Sequence, residues 1–143
     1  MSKILKSGIS LLLMVLFFAS CTTQLKTLEN GKKIDNRLVG VWSGSEKDQQ
    51  IDGIEKKWDM TRNADGTFVL DFVFTQNGRS QETQETGNWW VEGNKFYEFH
   101  EESGKTDIYT YSVLNENQIK FKSQTISIDM NNDSYEFIDT RKK

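Results

Sequence analysis

The chain has 143 residues, of which 36% are hydrophobic and 12% aromatic, so we expect one domain with a ring-rich core. A single cysteine and a single histidine exclude a disulfide scaffold and a zinc site built from Cys and His. The 18 basic and 21 acidic residues give a net charge of −3, which lacks the basic excess typical of nucleic-acid-binding proteins.

The first predicted element is an export signal. Lys3 and Lys6 precede an apolar run that is shorter than the ~20 residues needed to span a bilayer. The run ends with the sequence Phe-Ala-Ser-Cys at residues 18–21, which resembles the lipobox of bacterial lipoproteins. That resemblance implies a signal peptide over residues 1–20 and an acyl anchor of the palmitate type on Cys21. An ordinary secretory signal followed by a chance cysteine is the alternative.

Residues 21–36 are predicted to form a flexible tether, because they are polar and show no sustained apolar period. A flexible segment of that length spans roughly 20 Å, which would hold the domain away from the membrane. Thr22 follows the predicted anchor, whereas an aspartate at this position favours retention in the inner membrane of bacterial lipoproteins generally. The resemblance therefore implies a lipid anchor in the outer membrane of a bacterial cell envelope. The lack of an early acidic run favours its periplasmic face.

The remaining residues, 37–143, are predicted to form a β domain. Turn signals such as Asp65-Gly66 and Asn77-Gly78 recur at short intervals, and every second residue from Phe68 to Phe74 is large and apolar. We predict eight to nine strands, at residues 38–47, 54–62, 67–76, 80–91, 95–101, 106–114, 117–122, 124–130 and 134–140. Closure removes the exposed edges of such a meander, so the predicted fold class is all-β, an antiparallel up-and-down barrel.

Three short motifs link this pattern to a known family: L-V-G-V-W at residues 38–42, D-G-T-F at 65–68 and G-N-W at 87–89. Together they resemble those of the lipocalins, and more closely those of the compact lipocalin-like lipoproteins of bacteria. The resemblance implies that Gly40 and Trp42 lie at one closed end of the barrel. It also implies that Arg141 packs on the indole of Trp42.

The same resemblance implies a small apolar or amphipathic ligand inside the barrel. Its predicted wall consists of aromatic residues expected to face inward: Trp58, Phe72, Tyr97, Phe99, Tyr109 and Tyr111. An eight-stranded barrel either fills with side chains or holds one small ligand, and the sequence leaves both open.

Trp90 carries a second hypothesis. Adjacent strand residues point to opposite faces, so a core Trp89 leaves Trp90 on the outside, where tryptophan is a common interface anchor. The alternative function is thus a protein-binding periplasmic lipoprotein, an immunity protein or an assembly accessory factor, with Trp90 at the interface. A Trp90 covered by the tether or by a neighbouring loop is the competing interpretation.

His100 is the candidate for general-base chemistry. It lies beside Glu101 and Glu102, which could accept or hold a proton. Strand alternation places it opposite Tyr97 and Phe99, which are predicted to face inward, so a surface or rim position is expected.

The last predicted turn is a candidate calcium site. Asp129, Asn131 and Asp133 match the first half of a calcium loop, but Ser134 stands where that loop requires glycine. A polar hairpin turn is therefore favoured. The sequence contains no phosphate loop and no nucleophile elbow, and we expect a non-enzyme without catalytic residues, metal or cofactor.

Overall fold

The computed structural model describes residues 24–127 and 135–143. This part of the chain forms ten strands: β1 Leu25–Thr27, β2 Lys33–Asp35, β3 Gly40–Lys47, β4 Ile54–Arg62, β5 Thr67–Gln76, β6 Arg79–Glu92, β7 Lys95–His100, β8 Lys105–Asn115, β9 Gln118–Thr125 and β10 Glu136–Arg141. A single 3-10 turn, Asn36–Leu38, joins β2 to β3.

Strands β3 to β10 form a closed antiparallel barrel. Each pairs with its sequence neighbour, and β10 pairs with β3 to complete the ring. The β5–β6 turn shows why the meander forms, because Asn77 and Gly78 both take the positive φ angles of a tight hairpin. The predicted all-β barrel is confirmed.

The strand boundaries follow the predicted pattern most closely in β4 and β5, which span residues 54–62 and 67–76 as expected. The predicted strands at 117–122 and 124–130 are not separate, because β9 runs without a break from Gln118 to Thr125. Two register shifts in the β8–β9 ladder accommodate its length. Residues 128–134, with the calcium-like turn, lie outside the described part of the chain.

The segment predicted as a flexible tether is instead structured from residue 24 onward. β1 and β2 form a hairpin, and β2 pairs with β6 at Lys33 and Val91. Ile34 is fully buried against the barrel. The side chain of Leu28 packs over Gly66, leaving no room for a β-carbon there. Two apolar residues six positions apart create no period, which is why the sequence pattern missed this hairpin.

The apolar core lies at the end of the barrel that this hairpin covers. Its largest members are at most 1% exposed: Trp42, Phe68, Trp89, Phe96 and Phe121. The rings of Phe96 and Phe121 meet edge to face, with centroids 5.1 Å apart. We call this the closed end and the opposite end, where β4 begins and β7 finishes, the open end.

Among the strand pairs of the ring in the described residues, β3 and β10 share the shortest ladder. In the described residues these strands pair at Ser43–Thr140 and Trp42–Arg141, whereas β4 and β5 pair along their whole length. Toward the open end β3 and β10 therefore part, and we call this gap the seam.

Candidate functional site

Trp42 and Arg141 pack against each other at the closed end. The Trp42 indole nitrogen donates to the Leu38 carbonyl at 2.9 Å, and the Arg141 guanidinium carbon lies 4.1 Å from the indole centroid. Arg141 also donates to the Val39 carbonyl at 2.9 Å. Gly40 has a φ of 131°, and a β-carbon there would lie 2.5 Å from Arg141 Nη1. These contacts give the Gly-x-Trp motif a structural role at the closed end.

A buried ion pair crosses the barrel interior. Arg62 Nη2 lies 2.6 Å from Asp139 Oδ2, and Trp58 Nε1 donates to Asp139 Oδ1 at 2.9 Å. The Arg62 guanidinium carbon is 5.0 Å from the ring centroids of both Phe96 and Phe121. Its Nε and Nη1 atoms are buried without a hydrogen-bond partner. The interior is thus charged as well as aromatic.

The cavity beside this ion pair is small, at about 80 Å³. Ligand pockets in proteins typically enclose about 300–1,000 Å³. The cavity is bounded by both apolar and charged side chains: Trp58, Met60, Arg62, Leu70, Phe72, Glu98, Tyr109, Tyr135, Phe137 and Asp139. Side chains therefore fill most of the barrel interior, and an enclosed ligand of ordinary size does not fit there.

His100 is buried inside the barrel near the open end, so its predicted surface or rim position is wrong. Its Nδ1 lies 2.6 Å from Glu85, and its Nε2 lies 3.2 Å from Glu98 and 3.5 Å from Asp107. None of these contacts has hydrogen-bond geometry, so they are ion pairs. Burial alone would lower the pKa of His100, but the three carboxylates raise it to about 12.

The larger concave feature is a groove of about 720 Å³ on the outer face of the seam. Its floor is apolar and includes Trp58, Phe137 and Ile138, and its rim carries charges of both signs. On that rim, Lys120 and Glu136 form an ion pair at 3.0 Å. The full lining is Ser43, Gly44, Ser45, Gln49, Lys57, Trp58, Asp59, Asp71, Val73, Lys120, Glu136, Phe137, Ile138 and Thr140.

The groove and the inner cavity meet at two rings. Trp58 and Phe137 border both spaces, and their rings contact edge to face with centroids 5.0 Å apart. Gly44 permits this arrangement, since a β-carbon there would lie 2.3 Å from the Trp58 indole. We call the groove and these two rings the seam site.

A family model that describes a lipocalin-like domain matches residues 38–121, which is more than half of the chain. The chain belongs to the lipocalin-like domain family. A search of the curated proteins found no match. The matched residues include the strands that carry Gly40, Trp42 and Trp58, so the Gly-x-Trp motif and much of the seam site lie within the lipocalin-like domain.

The lipocalin-like barrel brings together half of the predicted ligand wall. Trp58, Phe72 and Tyr109 line the inner cavity as predicted. Tyr111 lies apart from them near the closed end, where its hydroxyl donates to Asp35 Oδ2 at 3.0 Å. Trp58 is also the one predicted wall residue that borders the seam groove.

Tyr97 and Phe99 face outward, so their predicted place in the ligand wall is wrong. Strand β7 buries the alternate residues Phe96, Glu98 and His100 instead. The prediction was the reverse, because Tyr97 and Phe99 are both aromatic whereas their neighbours Glu98 and His100 are polar. The inward charges are tolerated because Glu98 and His100 pair with each other.

Trp90 faces outward, while Trp89 is 1% exposed in the core, as the alternation predicted. The Trp90 ring stacks on Tyr97 with centroids 5.1 Å apart. The Lys32 ammonium lies 3.4 Å from the Trp90 ring centroid on the N-terminal hairpin's side. Trp90 is thus partly covered by that hairpin, in line with the competing interpretation of this residue.

The sequence pattern missed Arg62 and Asp139. A signal for Arg62 was present, because it continues the buried alternation Ile54, Lys56, Trp58 and Met60 along β4. The sequence carries no signal for Asp139, because its burial is stable only with Arg62, which lies 77 residues away in the chain.

Two other kinds of site have no candidate in the described residues. Within residues 24–127 and 135–143, no group of three or more His, Cys, Asp or Glu side chains is arranged to hold a metal ion. In that same part of the chain, no helix has the length and apolar character needed to cross a membrane. Cys21 lies outside the described residues.

Proposed function

We propose that this lipocalin-like protein is a non-catalytic binding protein that holds a small amphipathic molecule in the seam site. The observation that carries the proposal is the groove of about 720 Å³ where β3 and β10 part. Its volume lies within the usual range of ligand pockets, whereas the inner cavity is too small.

The lining of the groove favours an amphipathic ligand over a purely apolar one. Trp58, Phe137 and Ile138 offer an apolar floor for a chain or ring. At the rim, Lys57, Lys120 and Asp71 are placed to meet a polar or charged head group. A ligand of this kind would bury its apolar part against the floor and leave its head in water.

The charges around His100 support a non-catalytic role. A general base must be unprotonated near the working pH, but Asp107, Glu85 and Glu98 raise the pKa of His100 far above neutrality. The imidazole therefore stays protonated at pH 7 and cannot accept a proton. Its nitrogens already face carboxylates, so it serves the stability of the open end.

The proposed location is the bacterial cell envelope. The lipobox-like sequence at residues 18–21 supports acylation of Cys21, and the Thr22 that follows supports an anchor in the outer membrane at the periplasmic face. Metabolic labelling with an alkyne palmitate analogue tests this part. We expect the label on the wild-type chain and its loss in Cys21→Ala.

The binding proposal is tested with 11-(dansylamino)undecanoic acid, a fluorescent amphipathic probe, titrated into the purified protein. Ile138 is 44% exposed and borders the groove, so Ile138→Arg should fill the seam site and weaken probe binding by roughly tenfold or more. Val41 is similarly exposed at 38% on β3 but lies outside the groove, so Val41→Arg is the matched control. Equal binding by both variants, or none by the wild type, would contradict the proposal.

A further inference from the structure

The structure leaves very little chain between the predicted anchor and the folded domain. The Gln24 carbonyl accepts from the Asn36 amide at 2.7 Å, and Leu25 pairs with Asp35 in the β1–β2 hairpin. Only Thr22 and Thr23 lie between Cys21 and Gln24, and the three residue steps span at most about 11 Å even when the chain is fully extended. If Cys21 is acylated, as the proposed function holds, the hairpin must lie close to the lipid head groups.

The surface at this place has the composition of a membrane interface. A groove of about 520 Å³ is lined by Leu25, Lys32, Lys33 and Trp90, together with hairpin and turn residues. Leu25 is 47% exposed although it is apolar. Tryptophan and lysine are the side chains that settle at the boundary between lipid and water. We call these four residues the docking face.

The charge of the docking face differs from that of the whole chain. Two lysines, Lys32 and Lys33, line the groove together with a single carboxylate, Glu92. This local excess of positive charge stands on a chain whose net charge is −3. Phosphate head groups attract such a patch, while the acidic remainder of the surface is repelled from them.

We propose that the docking face seats the closed end of the barrel directly on an anionic phospholipid bilayer. This inference rests on the acyl anchor of the proposed function and replaces the expected 20 Å standoff with direct contact. Trp90 then lies at the level of the head groups, with Lys32 and Lys33 beside the phosphates. The seam site opens on the barrel wall, away from the hairpin, and stays accessible to a ligand in the periplasm.

The test uses the acylated mature protein, which begins at Cys21, in vesicles of phosphatidylcholine and phosphatidylglycerol that contain lipids brominated near the head group. Bromine quenches a tryptophan that touches the interface. We expect Trp90→Phe to lower the quenched fraction of the tryptophan emission roughly twofold or more, because it removes the ring at the interface. Trp58→Phe removes an inward, unquenched ring and should not lower that fraction. The exposed pair Lys32→Glu with Lys33→Glu should reduce quenching on anionic vesicles, and Lys47→Glu with Lys122→Glu is its charge-matched control.

Vesicle flotation separates the two proposals. Protein that floats but shows no quenching that depends on Trp90 or on Lys32 and Lys33 overturns the docking face and leaves the anchor intact. A chain that carries no acyl group and does not float overturns the anchor, and the docking inference with it. Quenching that both lysine pairs reduce equally also overturns the docking face, because it reflects overall charge alone.

Discussion

His100 shows how one buried side chain connects three strands at the open end. Its carboxylate partners come from β6, β7 and β8, through Glu85, Glu98 and Asp107. Asp107 also accepts from the Ser127 amide at 2.7 Å, which ties the end of β9 to the same group. Burial raises the pKa of Asp107, but His100 and Ser127 together hold it below its ordinary value.

The protonated state of His100 predicts a pH dependence of stability. Its folded pKa lies above the ordinary value of 6.5, so its contribution is complete below pH 6.5 and is lost as the pH rises toward the folded value. Between pH 7 and 9 the free energy of unfolding should fall by roughly 1 kcal/mol per pH unit. Urea unfolding at several pH values measures this slope.

His100→Gln is the matched variant, because glutamine cannot take up the charge. The chain has no other histidine, so the variant should show a nearly flat free energy of unfolding between pH 7 and 9. A wild-type protein as flat as the variant would show that His100 is neutral in the folded state.

At the scale of elements, the N-terminal hairpin is part of the barrel's closure. Ile34 and Leu38 are fully buried, and Asp35 accepts from the Arg37 amide at 3.0 Å at the start of the 3-10 turn. Arg37 and Tyr111 also bind the Asp35 carboxylate, so the hairpin is joined to β8 by a side-chain bond. A tether would have none of these contacts.

Ile34→Ala tests whether the hairpin is stably packed. Removing a fully buried isoleucine from the core should lower the free energy of unfolding by about 2–4 kcal/mol. Leu25→Ala, at a position 47% exposed in the same hairpin, is the control and should change it by less than about 0.5 kcal/mol. Equal and negligible effects in chemical unfolding would restore the tether interpretation.

The elements also show how far the sequence determines the fold. The boundaries of β4 and β5 follow from strand periodicity and from turn residues, both of which act locally. The inward face of β7 cannot be read from local pattern. Glu98 and His100 are stable inside the barrel only because other strands supply Glu85 and Asp107. Local pattern therefore predicts strands better than the direction in which a mixed strand faces.

The same distinction separates the predicted and the observed site. Aromatic residues on regular strands, such as Trp58 and Tyr109, were placed correctly inside the barrel. The seam arises from the short β3–β10 pairing, which depends on how the last strand returns to the first. No local sequence pattern determines how far β10 pairs along β3, so the groove could not be predicted.

At the scale of the whole molecule, the interior combines an apolar closed end with charges that extend toward the open end. Lys56 and Glu46 form a buried ion pair at 3.0 Å, and Lys56 also donates to Gln50. Arg62 with Asp139 forms a second pair, and His100 with its carboxylates forms a third group. Buried charges cost desolvation, so each depends on its partner, and the barrel's stability rests on keeping the pairs intact.

Arg62 and Asp139 allow this dependence to be measured by a double-mutant cycle. Arg62→Met leaves the buried Asp139 carboxylate with the Trp58 indole as its neutral partner, and Asp139→Leu leaves the Arg62 cation unpaired, so each should cost about 3–5 kcal/mol. The double variant removes both charges and keeps the contacts with Phe96 and Phe121 through methionine. In urea unfolding, the double variant should lose about 3 kcal/mol less free energy of unfolding than the two single variants lose together. Additive losses would show that water, rather than the partner, stabilises each charge.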